Sequence, residues 1–189
     1  MQRLTLRTEP RQFLGLLWLL LPLAVTAALV WYGLVHTPER GHSLFAAHGP
    51  HAVVLLKTQL GSALMGLALI QLLLALWMYG RLPGLRAAPH RVGTVHRLIG
   101  VVAFLLSVPI ARQCIIAYGV SLTGPRQALH SLAGCFLYGA FVAKVIVVRH
   151  RRWPGWALPL AGGALVTVVA LAWYSAAFWY LNGFQLPGL

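Results

Sequence analysis

Residues 127–148, QALHSLAGCFLYGAFVAKVIVV, decide the fold class of this chain. The stretch is almost wholly apolar and is interrupted only by a few polar side chains. Its length matches the roughly 20 residues that an α-helix needs to cross the hydrocarbon core of a bilayer. We therefore interpret it as a transmembrane helix.

Four more stretches have the same character, at about 13–36, 51–79, 95–119 and 157–181. The composition agrees, because 59% of the 189 residues are hydrophobic and 9% are charged, whereas a soluble domain has about 25% charged residues. The apolar run near the N-terminus is longer than that of a cleaved signal peptide, so we expect the first helix to be retained. The sequence thus predicts an all-α integral membrane bundle of five transmembrane helices, with residues 1–189 as a single domain.

The basic residues predict the orientation of this bundle. Fifteen Lys and Arg residues face only two acids, Glu9 and Glu39. One side of the predicted bundle carries Arg3, Arg7, Arg11, Arg81, Arg86, Arg91, Arg149, Arg151 and Arg152, and the other side carries Arg40 and Arg126. The positive-inside rule then predicts a cytoplasmic N-terminus and an external C-terminus in the inner (plasma) membrane. Because the basic residues alternate with apolar spans, we expect a lipid bilayer and no nucleic acid as their partner.

The same composition disfavours several classes of function. Two acids support neither a carboxylate-assisted catalytic triad nor a metalloprotease motif, and the chain lacks the matched broken helices of many transporters. Cys114 and Cys135 form no C-x-x-C motif, which argues against an iron–sulfur cluster, a zinc ribbon and covalently attached haem; a disulfide between them stays open. His42, His48 and His51 have a spacing that could bind copper or zinc, but no carboxylate supports such a site.

Two similar stretches, VHRLIG (95–100) and LHSLAG (129–134), place a histidine at the start of a predicted helix. In both, a glycine follows four residues later and so lies on the same helix face. His51 has a comparable position at the start of the second predicted helix. Ionisable side chains at membrane depth are energetically costly, so these histidines indicate a functional site.

His51 and His130 are predicted near the outer surface on two helices of one bundle. Two imidazoles that face each other across a bundle can hold a b-type haem, and Gly134 would leave room for the macrocycle beside His130. We therefore predict His51 and His130 as axial ligands of haem b. His96, with Gly100 beside it, is a candidate ligand of a second haem or a residue that faces a quinone. The alternative is that these histidines only hydrogen-bond water or loop carbonyls.

Two cations inside the predicted spans favour the same interpretation. At a rise of 1.5 Å per residue, Lys57 lies about 9 Å and Arg112 about 12 Å from the outer surface. The spans contain no acid, and an unpaired charge in hydrocarbon is costly. The two haem propionates would supply the missing anions, with Arg126 at the rim as a further partner. Alternatively, the cations reach lipid phosphates or meet a carboxylate of another subunit.

With these features, residues 48–181 resemble the ascorbate-reducible cytochrome b family of transmembrane di-haem electron carriers. The resemblance implies a histidine near the start of each of four core helices, paired first with third and second with fourth, and one haem on each side of the membrane. His51, His96 and His130 match the first three positions, and the 34-residue step from His96 to His130 fits the spacing of the family.

The chain departs from this family at the fourth position. Residues 164–169, ALVTVV, contain no histidine, so the inner haem lacks a partner for His96 unless His90 or His150 substitutes. One haem is therefore the expectation that the resemblance supports. The stretch 126–148 is also similar to uncharacterised bacterial five-helix membrane proteins.

Two functions remain from the sequence. The first is a membrane-bound b-type cytochrome that transfers electrons between the membrane, with the quinone pool as a candidate partner, and a redox partner on the outer side. It would act alone or as the haem-bearing anchor subunit of a larger complex. The alternative is a structural or assembly subunit of a membrane complex that binds no cofactor.

Overall fold

A computed structural model of the protein describes residues 10–39, 49–150 and 153–188. Within these residues all regular secondary structure is helical. The long helices are α1 (Pro10–Val35), α2 (Gly49–Met78), α3 (His90–Tyr118), α4 (Pro125–Arg149) and α5 (Ala157–Trp173). α5 continues through a π-helical segment, Tyr174–Phe178, into a last turn, α6 (Trp179–Leu181).

Four helical segments are long and apolar enough to cross a membrane. These candidate membrane spans are His51–Met78, His90–Tyr118, Pro125–Arg149 and Ala157–Leu181. In α1, the stretch Leu20–Val35 is a shorter apolar helix. The protein is therefore a multi-pass membrane protein, and the predicted all-α class is confirmed for the described residues.

α3 begins earlier than its predicted span of 95–119. It starts at His90, directly after Pro89, whose φ of −58° and ψ of 150° place it just outside the helix. The apolar pattern marks where the chain becomes hydrophobic, whereas helical hydrogen bonding begins as soon as the chain leaves the proline. As a result, His96 lies nearly two turns inside α3 rather than at its mouth.

The helices α2 to α5 form a ring. α2 packs against α3 and α5, and α4 packs against α5 and α1. α3 and α4 meet through aromatic side chains, because the Phe104 and Phe141 rings stack at 4.3 Å and the Ser107 and Tyr138 hydroxyls are 3.2 Å apart. α2 and α4 therefore occupy opposite corners of the ring, and α1 lies outside it on α4.

The contact between α1 and α4 depends on Gly139. A Cβ atom at this position would overlap the Thr26 hydroxyl and would lie 2.7 Å from the Pro22 carbonyl oxygen. Nearer the C-terminal end of α1, the Val120 N–H donates a hydrogen bond of 2.7 Å to the Gly33 carbonyl. α1 is thus attached to the ring both at mid-helix and at its end.

The ring has two chemically different ends. One end carries the exposed arginines Arg81, Arg86, Arg91 and Arg149, and we call it the arginine-rich end. The opposite end contains the beginning of α4 and the end of α5, and we call it the His130 end. The two principal cavities, of about 430 and 470 Å³, both lie at the arginine-rich end, one beside Tyr79 and His150 and the other beside Trp77 and His90.

Candidate functional site

His130 lies in the second turn of α4 with its side chain half-buried. Its Nδ1 is 3.2 Å from the Ala172 carbonyl oxygen and 3.4 Å from Ser175 Oγ. Since a carbonyl only accepts hydrogen bonds, Nδ1 carries the proton and Nε2 keeps a lone pair. No described residue hydrogen-bonds to that Nε2. The ring is therefore held in the tautomer and orientation that a metal-binding histidine commonly has.

The π-helical segment provides the partners on α5. Ser175 is completely buried, and its hydroxyl donates a hydrogen bond of 2.6 Å to the Leu171 carbonyl. The Ser175 carbonyl accepts a hydrogen bond of 3.1 Å from the Arg126 guanidinium. A π-helical turn contains an extra residue, so its carbonyls depart from the regular α-helical pattern and become available to other groups. His130 and Arg126, one turn apart on α4, both bind this part of α5.

Two cations near His130 contact aromatic rings. The Arg126 guanidinium lies 3.8 Å from the centre of a Trp179 ring, and the Lys57 ammonium lies 4.2 Å from the centre of the Tyr118 ring. Such contacts stabilise a cation by about 0.5–2 kcal/mol. Arg126 lies one turn before His130 on α4, and both side chains contact Ser175. Both cations predicted to bind propionates at this end thus have a ring partner within the chain, and Arg126 lies beside His130.

The other predicted residues of this end are placed differently. His51 lies in the first turn of α2 with an exposed side chain, and Arg112 exposes its side chain on the surface of α3. α2 and α4 are diagonal in the ring, and the described residues show no ring contact between His51 and His130. The structure thus places Arg126 beside His130 and Lys57 against Tyr118, and leaves His51 and Arg112 on the surface of the bundle.

The two glycines of the H-x-x-x-G stretches have different surroundings. A Cβ at Gly134 would meet no atom within 4 Å, so the space beside it is open. A Cβ at Gly100 would lie 3.6 Å from Gln71 Nε2. The Gln71 side chain therefore occupies the room that the sequence predicts for a macrocycle beside His96.

Gln71 also makes a direct contact with the third helix. Its Nε2 donates a hydrogen bond of 2.5 Å to the His96 carbonyl. Its Oε1 is buried without a hydrogen-bond partner, and so is Nδ1 of His96. Lys144 is half-buried on α4, five residues before the end of that helix. A second polar cluster thus exists on the side of the arginine-rich end.

Sequence reasoning missed several residues of these two clusters. Tyr118, Trp179 and Ser175 look like ordinary interface or small residues, and no sequence pattern marks the π-helical segment that positions them. Gln71 has a recognisable signal, because it is a single amide within the apolar run LALIQLLLALW, residues 67–77. A polar side chain at that depth indicates a specific partner.

The sequence also raised a copper or zinc site and a disulfide as possibilities. Among the described residues, no group of three or more His, Cys, Asp or Glu side chains could hold a metal ion. Two members of the proposed copper or zinc motif, His42 and His48, lie outside the described residues. Cys114 and Cys135 are both free thiols, so the disulfide that the sequence left open is not formed.

Comparison with known proteins identifies the family of the chain, but the function of that family is unknown. No curated protein and no solved structure matches it. The resemblance to the ascorbate-reducible cytochromes therefore stays a prediction. Residues 15–188 match the model of a family of unknown function, DUF6529, and the chain belongs to that family.

Proposed function

We propose that this protein is a membrane-bound b-type cytochrome that carries electrons, with one haem at the His130 end. The observation that carries the proposal is the state of His130. Its Nδ1–H is bound to the Ala172 carbonyl, which leaves the Nε2 lone pair directed away from the backbone. A hydrogen bond of this kind orients histidine ligands and increases their basicity in metal centres.

The surroundings of His130 fit a haem in two further respects. The open space beside Gly134 lies one helical turn from the ring, on the same face of α4. Lys57 and Arg126 add two positive charges at this end, and among the described residues each contacts an aromatic ring and no carboxylate. The propionates would interact with these cations, and Tyr118 and Trp179 would hold the two side chains in place.

The second histidine that would hold the haem is His51. This residue lies at the same end of the ring and within the first turn of α2, on the corner diagonal to α4. When bound, the haem would supply reversible one-electron transfer. The chain would hold the iron through two imidazoles and compensate the charge of the propionates.

We propose one haem rather than two. Beside His96 the space next to Gly100 is taken by Gln71, and α5 contributes no histidine as a partner. Gly100 therefore packs a side chain, whereas Gly134 is the glycine that supports cofactor binding.

The exposed arginines support an orientation for this cytochrome. Arg81, Arg86, Arg91 and Arg149 are all at one end, which we place in the cytoplasm by the positive-inside rule. The N-terminus is then cytoplasmic, and the haem lies on the outer side of the plasma membrane. There it would exchange electrons with an outer-side redox partner.

A cofactor-free subunit of a membrane complex is the second candidate function. It is favoured by Arg112, whose exposed side chain lies six residues before the end of α3. A carboxylate of another subunit would be a suitable partner for this cation. In that case His130 would serve only to connect α4 with α5.

A reduced-minus-oxidised absorbance spectrum of the purified protein distinguishes the two candidates. We expect the α-band of a low-spin b-type haem. A protein that is folded, by circular dichroism, but has no haem absorbance after expression with added haem precursor would contradict the cytochrome and favour the subunit.

A further inference from the structure

Three polar side chains from three helices lie at one depth on the side of the arginine-rich end. Gln71 is seven residues before the end of α2, His96 is six residues after the start of α3, and Lys144 is five residues before the end of α4. At 1.5 Å per residue these positions are all about 8–11 Å inside the helix ends. We call them the Gln71 cluster.

The Gln71 cluster contains two buried polar atoms that the described residues leave unsatisfied. Gln71 is 9% exposed, and its amide is fixed by the hydrogen bond from Nε2 to the His96 carbonyl. Its Oε1 then has no partner, and the same is true of His96 Nδ1. A buried polar atom without a hydrogen bond is energetically costly, so these two atoms on adjacent helices call for a partner that can hydrogen-bond to both.

The chemistry of the cluster restricts this ligand. Gln71 Oε1 can only accept a hydrogen bond, so the ligand must bring an O–H or N–H donor. His96 Nδ1, when protonated, requires an acceptor. Lys144 is half-buried at a similar depth, and its positive charge favours an oxygen with negative partial charge. Because the site is about 8–11 Å inside the ends of helices that cross the membrane, a lipid-soluble ligand can reach it from the bilayer.

We propose that the Gln71 cluster binds the head of a membrane quinol. One ring hydroxyl would donate to Gln71 Oε1, and its oxygen would accept from His96 Nδ1–H and interact with the Lys144 ammonium. This inference rests on the proposed electron-transfer function, in which a quinol from the membrane would be the electron donor. The Gln71 cluster would then be the electron-partner site at the end opposite the haem.

The test is equilibrium binding of radiolabelled tetramethylbenzoquinol to the full chain in phosphatidylcholine nanodiscs, with empty nanodiscs subtracted. We expect saturable binding that becomes about tenfold or more weaker in Gln71→Met, because the hydroxyl loses its acceptor, and also weaker in Lys144→Met. Gln59→Met is the matched control, since Gln59 is an exposed amide on the same helix, and it should bind as the wild type does.

Two results would overturn the proposal. One is uptake that never saturates beyond that of empty nanodiscs, which would mean that the two buried atoms hold water only. The other is saturable binding that Gln71→Met and Lys144→Met leave unchanged, which would place the probe elsewhere. Thermal unfolding of each variant shows that it is folded, and Lys144→Met serves if Gln71→Met does not fold.

The haem absorbance of the same samples separates this inference from the proposed function. Probe binding without haem would contradict the cytochrome but keep a quinol-binding site at the cluster. Haem absorbance without saturable probe binding would keep the cytochrome and contradict the quinol site.

Discussion

Arg126 illustrates how this chain accommodates charge within a bilayer. With two acids against fifteen basic residues, the chain has too few carboxylates to pair with most of its cations. Instead, the guanidinium donates to the Ser175 carbonyl and stacks on Trp179, so that a backbone dipole and an aromatic face replace the anion. Ser175 lies in the π-helical segment and Trp179 in α6, both in the helical continuation of α5. Arg126 therefore links α4 to the end of α5.

A double-mutant cycle with Arg126→Met and Trp179→Leu measures this link. We expect a coupling free energy of about 1 kcal/mol, because the contact is partly shielded from water. The measurement is the free energy of unfolding in detergent for the wild type, both single variants and the double variant. A coupling indistinguishable from zero would show that the stacking contributes nothing to stability.

Gly139 is the residue on which the position of α1 depends. Gly139→Ala introduces a Cβ that overlaps the Thr26 hydroxyl, so α1 must move away from α4. We expect the protein to lose about 1–3 kcal/mol of unfolding free energy. Gly162→Ala is the matched control, since a Cβ there meets nothing within 4 Å and alanine favours the helix. Equal stability of the two variants would contradict the close contact between α1 and α4.

At the scale of the element, α5 is distinguished by its π-helical segment, Tyr174–Phe178. π-helical turns are rare, and they often occur at functional sites because they reposition backbone carbonyls. Here the segment coincides with the region that contacts His130 and Arg126. Trp173, just before it, donates a hydrogen bond of 3.0 Å to Ser62 on α2. The segment therefore connects α5 to two neighbouring helices at once.

Deletion of Ala176 tests this role of the π-helical segment. Without the extra residue we expect a regular α-helix, in which the Ala172 and Ser175 carbonyls return to the α-helical hydrogen-bond pattern and no longer bind His130 and Arg126. The expected results are a changed near-ultraviolet circular dichroism of the tryptophans and a loss of haem absorbance. Deletion of Gln185, beyond the helix, is the control. A wild-type spectrum after deletion of Ala176 would contradict the account.

At the scale of the whole molecule, the apolar pattern predicts most of the fold. The span at 127–148 corresponds to Pro125–Arg149 and the span at 157–181 to Ala157–Leu181, because hydrophobic length alone determines whether a helix can cross a bilayer. The start of α3, at His90, differs from the predicted start at residue 95, because Pro89 determines where the helix begins and hydrophobicity does not. Helix order around the ring depends on tertiary contacts such as Phe104 with Phe141, which no single span encodes.

The candidate site is only partly predictable for the same reason. His130 was identified from its position in an apolar helix, and Lys57 and Arg126 from their charge. Their partners depend on where the backbone of α5 departs from α-helical geometry, and this departure has no sequence signal. The distinction between Gly134 and Gly100 likewise depends on the neighbouring helix, because only Gly100 has Gln71 against it.

The orientation of the whole bundle leads to a separate prediction. In a chain without its native cysteines, Leu85→Cys is exposed at the arginine-rich end and Thr123→Cys at the His130 end. With a maleimide that does not cross membranes, we expect intact cells to label only Thr123→Cys, and permeabilised cells to label both. The reverse pattern in intact cells would contradict a cytoplasmic arginine-rich end.

The most direct test of the central claim is the haem content of the wild-type protein, His130→Ala and His90→Ala. His90 is an exposed histidine at the arginine-rich end and serves as the control. We predict about one haem per chain, as for a single bis-histidine site, in the wild type and in His90→Ala, and no haem in His130→Ala. Wild-type protein without haem, or equal haem content in all three proteins, would contradict His130 as the ligand.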